Sequence, residues 1–314
     1  MVLIGFMGWL FTHLALARLS FKPSFLGRAV ALVIGSLLAV GAFRLFGGEG
    51  IDVVWRAPSD RPSDVRAVGS WLSGDVVVRA RPDAVVGYRA ATGEVAWQWS
   101  PPGRDTVCGM SEVVADGVGL LGHGAADKPC GTVVALDLAT GRPRWSIDAD
   151  APVRYGETVH SGVLAIAGKT AVVQEPDGWR GLSMADGRTM WRTAAGKDCA
   201  PVHLAGGPST VVTVTKCEDH PPVLRTLRPA DGWQGMRADL PVTTHLKNVA
   251  VLSTDPVTLW VDEAGSRGTH AVLGYDPSGR VRSTIPLAQA EYDLQIPAHG
   301  YESADFAVRP AYAP

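Results

Sequence analysis

The sequence reads as an all-β chain behind a short apolar N-terminus, and three observations carry that reading. Related segments recur after residue 50, no stretch there has a convincing helical period, and 36 Gly with 22 Pro supply frequent turns. The segments are "VVGYRAATGEVAW" (85–97), "VVALDLATGRPRW" (133–145) and "WRGLSMADGRTMW" (179–191), then the weaker "LRTLRPADGWQGM" (224–236) and "VLGYDPSGRVRS" (272–283). Their turn glycines, Gly93, Gly141, Gly187, Gly232 and Gly279, are spaced 48, 46, 45 and 47 residues apart. Trp97, Trp145 and Trp191 each fall four residues after the glycine. Each unit reads as two short strands joined by a tight turn, where Gly tolerates positive φ. Two further β-rich runs precede each, such as "GVGLLGH" (117–123), "STVVTVTKC" (209–217) and "VTLWVDE" (257–263). Four strands in roughly 45 residues make one propeller blade. The predicted fold is therefore a β-propeller of four-stranded blades, about six of them visible.

Ahead of the blades lie two uncharged apolar stretches, 1–17 and 29–43, each near the lower limit for spanning a bilayer. Between them the linker 18–28 carries Arg18, Lys22 and Arg28 and no acid. The positive-inside bias puts that linker in the cytoplasm and everything after residue 50 outside. Residues 1–48 are thus expected to be a membrane anchor of one or two helices, and 49–314 an extracytoplasmic domain. A cleaved signal peptide is the competing reading, but Arg44 follows the second stretch closely and no small-residue cleavage site precedes Gly47. A lipoprotein is not expected, because no cysteine occurs before Cys108.

"VVALDLATGRPRW" resembles the pyrroloquinoline-quinone-type repeat, shared by quinoprotein dehydrogenases and by non-catalytic propellers such as the outer-membrane assembly factor. The resemblance covers about residues 50–285 and is closest in the second repeat. It implies that each glycine turn joins the third and fourth strands of a blade. It also implies that Trp97, Trp145 and Trp191 pack between neighbouring blades. "VVWRA" (53–57) reads as a lone fourth strand that could complete the last blade and cover exposed sheet edges. "YDLQIP" and "DFAVRP" near the end would be the first two strands of that blade. Family rings usually have seven or eight blades, so a truncated ring is the alternative to a six-bladed one with an incomplete closing blade.

Four cysteines form two local pairs, Cys108 with Cys130 and Cys199 with Cys217. Cys108 is placed before the first strand of its blade, Cys130 in the loop before the third. Cys199 is placed before its blade, and Cys217 at the end of the second strand. All four fall on one rim, so each pair can meet as a disulfide, which suits an extracytoplasmic address. Each loop would contribute roughly 3 kcal/mol on the chain-entropy model. A metal reading from Cys217 and His220 in "CEDH" is weaker, because no second paired ligand motif is present.

Signals for chemistry are sparse. Quinoprotein dehydrogenases carry a vicinal Cys-Cys disulfide, a calcium held by acidic and amide side chains, and a catalytic Asp. Here no cysteines are adjacent and Asn248 is the only asparagine. The tryptophans could form a stacking surface, but their regular place favours inter-blade packing, each ring burying roughly 150–250 Å². Asp137 and Asp276 share one repeat position, where an Asp commonly supports the following turn. The histidines are scattered, with no Ser/Asp or Cys partner at a recognisable spacing. No G-x-S-x-G, P-loop or dinucleotide fingerprint is present, and the Gly-rich stretch 119–131 precedes a strand and not a helix. The net charge is −2 for the whole chain, and four positive charges precede Glu49, so the remainder stands at −6. An acidic soluble part argues against nucleic acid.

The expected function is a non-catalytic, membrane-tethered, extracytoplasmic propeller that binds or scaffolds a protein or small ligand on one rim, with no cofactor. The alternatives are a fragment or remnant of a quinone-dependent dehydrogenase, and a sensor domain working with a separate signalling chain.

Overall fold

The computed structural model describes residues 35–36, 53–57, 68–125, 128–151, 162–289 and 292–293. The chain divides into two units, Met1–Val54 and Trp55–Pro314. Of the first unit only Gly35, Ser36, Val53 and Val54 are described, so the expected anchor 1–48 otherwise lies outside the described residues. Among the described residues no helix is long and apolar enough to cross a membrane.

The second unit carries five four-stranded antiparallel sheets, each with its strands in chain order. Blade 1 holds β1 (Gly69–Ser73), β2 (Val76–Ala80), β3 (Val85–Arg89) and β4 (Val95–Trp99). Blade 2 holds β5 (Asp105–Met110), β6 (Val118–Ala125), β7 (Cys130–Asp137) and β8 (Arg142–Ala151). Blade 3 holds β9 (Leu164–Ala167), β10 (Thr170–Glu175), β11 (Gly178–Ser183) and β12 (Thr189–Ala194). Blade 4 holds β13 (Cys199–Gly206), β14 (Val211–Cys217), β15 (Val223–Leu227) and β16 (Gln234–Asp239). Blade 5 holds β17 (Leu246–Thr254), β18 (Val257–Glu263), β19 (His270–Tyr275) and β20 (Val281–Pro286). A two-stranded ladder, β21 (Ala288–Gln289) with β22 (Tyr292–Asp293), follows. The all-β architecture of four-stranded blades predicted from the repeats is the one observed, with five such blades among the described residues where about six were expected.

The sequence dictates where each blade turns and where it buries its surface. Gly93, Gly141, Gly187, Gly232 and Gly279 sit in the turns between third and fourth strands at φ between 69° and 84°. An L side chain rarely adopts that conformation, so glycine is the residue suited to it. Apolar faces then join consecutive blades in pairs. Trp71, Val78, Leu121 and Leu136 fill the junction of blades 1 and 2. Leu120, Trp145, Ile166 and Leu182 fill that of blades 2 and 3. Trp179, Trp191, Leu204 and Leu227 fill that of blades 3 and 4, and Val214, Leu224, Leu259 and Leu273 that of blades 4 and 5. Among the described residues no such cluster joins blade 5 to blade 1. The outer strand β20 is exposed from Val281 to Ile285.

Two expectations about strands need correction or fall outside view. Residues 53–57 form no strand, although Trp55 still docks on blade 1 as described below. Of "YDLQIP" only Tyr292 and Asp293 are described, in β22, and "DFAVRP" lies outside the described residues.

Candidate functional site

Antiparallel strand order gives each blade two rims of different character. One rim carries the glycine turns. The other carries the β2–β3-type loops, the blade-to-blade connections and all four cysteines.

On the glycine rim, one contact repeats from blade to blade. The Trp97 indole N–H donates to the Leu138 carbonyl at 2.9 Å, and its ring lies where a Cβ on Gly141 would overlap it. Trp145 donates to Met184 O at 2.9 Å and covers Gly187, while Trp191 donates to Pro229 O at 2.7 Å and covers Gly232. Trp55 does the same to blade 1, donating to Ala90 O at 2.7 Å and covering Gly93. It also stacks on Tyr88 at 5.8 Å. Each ring is thus committed to its neighbour's turn, with its one polar atom bonded, and offers no open stacking face. The aspartates at the shared repeat position support turns. Asp137 accepts from the Thr140 amide at 3.0 Å and pairs with Arg144, which holds its carboxyl below the usual range. Asp276 accepts from the Ser278 amide at 2.8 Å, and its pKa is lowered to about 2 by the Ser278 hydroxyl first and then the Arg280 amide.

On the other rim both cysteine pairs are disulfides. Cys199 and Cys217 face each other across β13 and β14, with Cys199 opening its strand. Cys108 lies inside β5, not before it, and Cys130 is the first residue of β7, not a loop residue. Their bond therefore crosses over β6, and Gly122 leaves the room: a Cβ there would stand 2.9 Å from the Cys130 sulfur. With Cys217 bonded to Cys199, its sulfur is not a ligand beside His220. Among the described residues no cluster of three or more His, Cys, Asp or Glu could hold a metal.

Between blade 4 and its connection to blade 5, this rim opens into a cleft of about 790 Å³. One wall is the end of β14 and the following loop, with Lys216, Glu218, Asp219 and His220; the other is the connection at Thr243, Thr244 and His245. The Cys199–Cys217 bond lies in the wall and ties the first side together. Asp198 adopts a left-handed φ of 56°, and its carbonyl accepts the Glu218 amide at 3.1 Å. Lys216 Nζ stands 3.3 Å from His245 Nε2. An ammonium can only donate, so that ring nitrogen is the acceptor.

The second wall is held from behind by Glu263, a side chain only 1% exposed. Its Oε1 accepts the Thr243 and Thr244 amides at 2.6 and 2.5 Å and both threonine hydroxyls at 2.8 and 3.0 Å. Its Oε2 accepts the Thr269 amide at 2.7 Å. Burial alone would raise this carboxyl, but the hydrogen bonds outweigh it and bring the pKa down to about 2. Beside it Asp262 accepts from His270 Nδ1 at 2.7 Å and from Asn248 at 3.0 Å, with Lys247 at 3.6 Å. Burial works against the charged form of Asp262, yet the His270 and Asn248 bonds leave its pKa lowered. His270 is raised, first by Asp262 and then by the Gly265 carbonyl. Nothing in the repeat pattern pointed to Glu263, Asp262 or His270; the only sequence signal is the acidic pair closing "VTLWVDE".

The geometry does not fit a quinone site of the dehydrogenase type. Neither disulfide is vicinal, since the bonded cysteines are 22 and 18 residues apart, and the repeat tryptophans are committed to turns.

Comparison with known proteins agrees with the repeat. A family profile (PQQ_2) described as outer membrane protein assembly factor BamB matches residues 50–194 and 126–258, more than half of the chain. No curated protein matches. Among solved structures, BamB from Moraxella catarrhalis is 18% identical, with a TM-score of 0.47 over 68% of this chain. The chain covers 62% of that protein's length. A protein of unknown function from Bacteroides caccae is 12% identical, with a TM-score of 0.42 over 74% of this chain and 85% of its own. KlHsv2 with loop 6CD replaced by a Gly-Ser linker is 13% identical, with a TM-score of 0.48 over 72% of this chain and 73% of its own.

Proposed function

Since the chain belongs to the PQQ-repeat propeller family described as outer membrane protein assembly factor BamB, we propose that it is a non-catalytic scaffold. In this reading the propeller is extracytoplasmic, tethered to the membrane by residues 1–48, and docks a partner protein on the disulfide-bearing rim. The observation that carries it is the cleft between blade 4 and blade 5, open on a rim that two disulfides brace. Disulfides persist in oxidising compartments, which supports the address. The two uncharged stretches flanking a basic linker support the tether. A binding role also suits the polar lining, where charged side chains stand without the paired, buried arrangement that acid–base chemistry needs.

The test is in-cell photo-crosslinking from two rims. A photoreactive residue at Glu218 in the cleft is compared with one at Asp186 in a glycine-rim turn. A discrete protein adduct from position 218 and none from 186 is expected. Adducts from 186 alone, or from neither, would sink the docking rim.

A further inference from the structure

The β18–β19 loop sits behind the cleft; blade 2 also pairs a histidine with an aspartate, His123 with Asp105, but among the described residues only the blade 5 ring is given a second acceptor. His270 faces two oxygens at once: Nδ1 is 2.7 Å from the Asp262 carboxylate and Nε2 is 2.7 Å from the Gly265 carbonyl. Neither an ionised carboxylate nor a carbonyl can donate, so both ring nitrogens must carry protons for both bonds to exist. The geometry is satisfied by the imidazolium; a neutral ring loses one of the two bonds whichever tautomer it takes.

What the ring ties down leads to the cleft. The loop residues Gly265 to Gly268 close a turn on themselves, with the Gly268 amide donating to Gly265 O at 3.3 Å. Ala264 N donates to His245 O at 2.8 Å, and the Thr244 hydroxyl lies 3.0 Å from Ala264 O, its one proton shared between that carbonyl and Glu263 Oε1. Thr269 reaches the Pro241 carbonyl through its hydroxyl and Glu263 through its amide. Glu263 in turn holds Thr243 and Thr244. The wall 243–245 therefore rests on the loop that His270 fastens.

We propose that His270 is a pH-operated clasp on the cleft: protonated, it fastens the 264–269 loop to β18 and so holds the wall at Thr243, Thr244 and His245; on losing its proton it releases both. This rests on the docking role assigned to the cleft. The charged groups around the ring are Asp262 and Glu263 on β18, Lys247 on β17 next to Asp262, and Arg267, exposed on the loop itself. On its other side β20 brings Pro286 and the following Leu287, neither of which titrates. The sign follows from the raised imidazole: the clasp is complete below the unfolded histidine pKa and is lost as pH rises through the folded one. Asp262 sets the other limit, since its lowered carboxyl keeps the acceptor charged until pH falls well into the acid range.

The experiment uses the full chain and needs no partner. Histidine ¹⁵N spectra and amide exchange at Thr243, Thr244 and Thr269 are followed from about pH 6 to about pH 9, bracketing the ordinary histidine value. After correction for intrinsic exchange, protection at the three amides is expected to fall in step with His270 deprotonation. The fall should be about tenfold for each unit by which folding raises the imidazole. His270→Phe, which can make neither bond, should show low protection with no step. A flat wild-type profile, a neutral His270 ring at pH 7, or a step that survives in His270→Phe would overturn the clasp. Crosslinking failure at position 218 sinks the docking role and leaves these exchange results intact.

Discussion

At the junction of blades 3 and 4, the Trp191 ring covers Gly232 and bonds the Pro229 carbonyl. At the junction of blades 4 and 5, Met236 stands four residues after the turn glycine instead, and the Gly279 turn rests on the Arg237 carbonyl. Blade 5 itself has Ser283 at that place. Blades 1 to 3 add one repeated aromatic contact to their apolar junctions; the last junction keeps its apolar cluster without that contact, and on the opposite rim Glu263 makes a polar clamp on three amides and two hydroxyls. A repeat architecture fixes strand order and turn geometry, but leaves each junction free to find its own adhesive. The family match stops at residue 258, so it takes in Thr243 and Thr244 but not Glu263.

The largest expected effect tests that contrast directly. Trp191→Ala should cost about 3–5 kcal/mol in urea unfolding, because it empties a ring-sized site and removes one of the two donors to the Pro229 carbonyl, leaving it the Thr170 hydroxyl alone. Met236→Ala, at a half-buried position, should cost under about 2 kcal/mol. Equal losses would mean that the aromatic contact has no special place. Next, the paired replacements Cys108→Ser with Cys130→Ser, and Cys199→Ser with Cys217→Ser, should each cost about 3 kcal/mol, given separations of 22 and 18 residues. Denaturant midpoints of the oxidised and doubly substituted proteins would show it.

Glu263→Gln should cost about 2 kcal/mol at neutral pH, since an amide replaces a carboxylate whose bonds are all acceptor bonds. Its signature is in the pH profile. The lowered carboxyl contributes stability that is complete above the unfolded value of 4.5 and is lost as pH falls toward the folded value of about 2. Wild type should therefore lose stability across that window more steeply than the variant. Parallel profiles would sink the clamp. The smallest expected effect is none: titrating the protein with pyrroloquinoline quinone and calcium should leave tryptophan fluorescence unquenched. Saturable quenching at micromolar concentrations would reopen the dehydrogenase reading.

Much of this architecture was legible because it repeats. Gly141 and Gly187 announce their turns through spacing, the resemblance adds that Trp97 and Trp145 pack between blades, and the cysteine pairs announce their partners through matched positions in two blades. The strand limits around Cys108 and Cys130 were less legible, because a bond that crosses β6 depends on Gly122 leaving space, which no local pattern reports. Trp55 was found, but its segment was read as a strand; the ring docks on blade 1 although the main chain there pairs with none. The cleft and clasp were not legible at all. Glu263 meets Thr243 and Thr244 at separations of 20 and 19 residues, through contacts that occur once and follow no period.

The tryptophan contacts have a direction. Trp55 reaches forward 35 residues to Ala90, Trp97 reaches 41 to Leu138, Trp145 reaches 39 to Met184 and Trp191 reaches 38 to Pro229. In every case the ring leaves the ribosome before the turn that it will cover. Blades 2 to 4 thus each meet a lid carried by the blade already made, and blade 1 meets Trp55 from the segment before it. A protein built this way is suited to vectorial growth, adding blades in the order of synthesis with loops of nearly constant length to close.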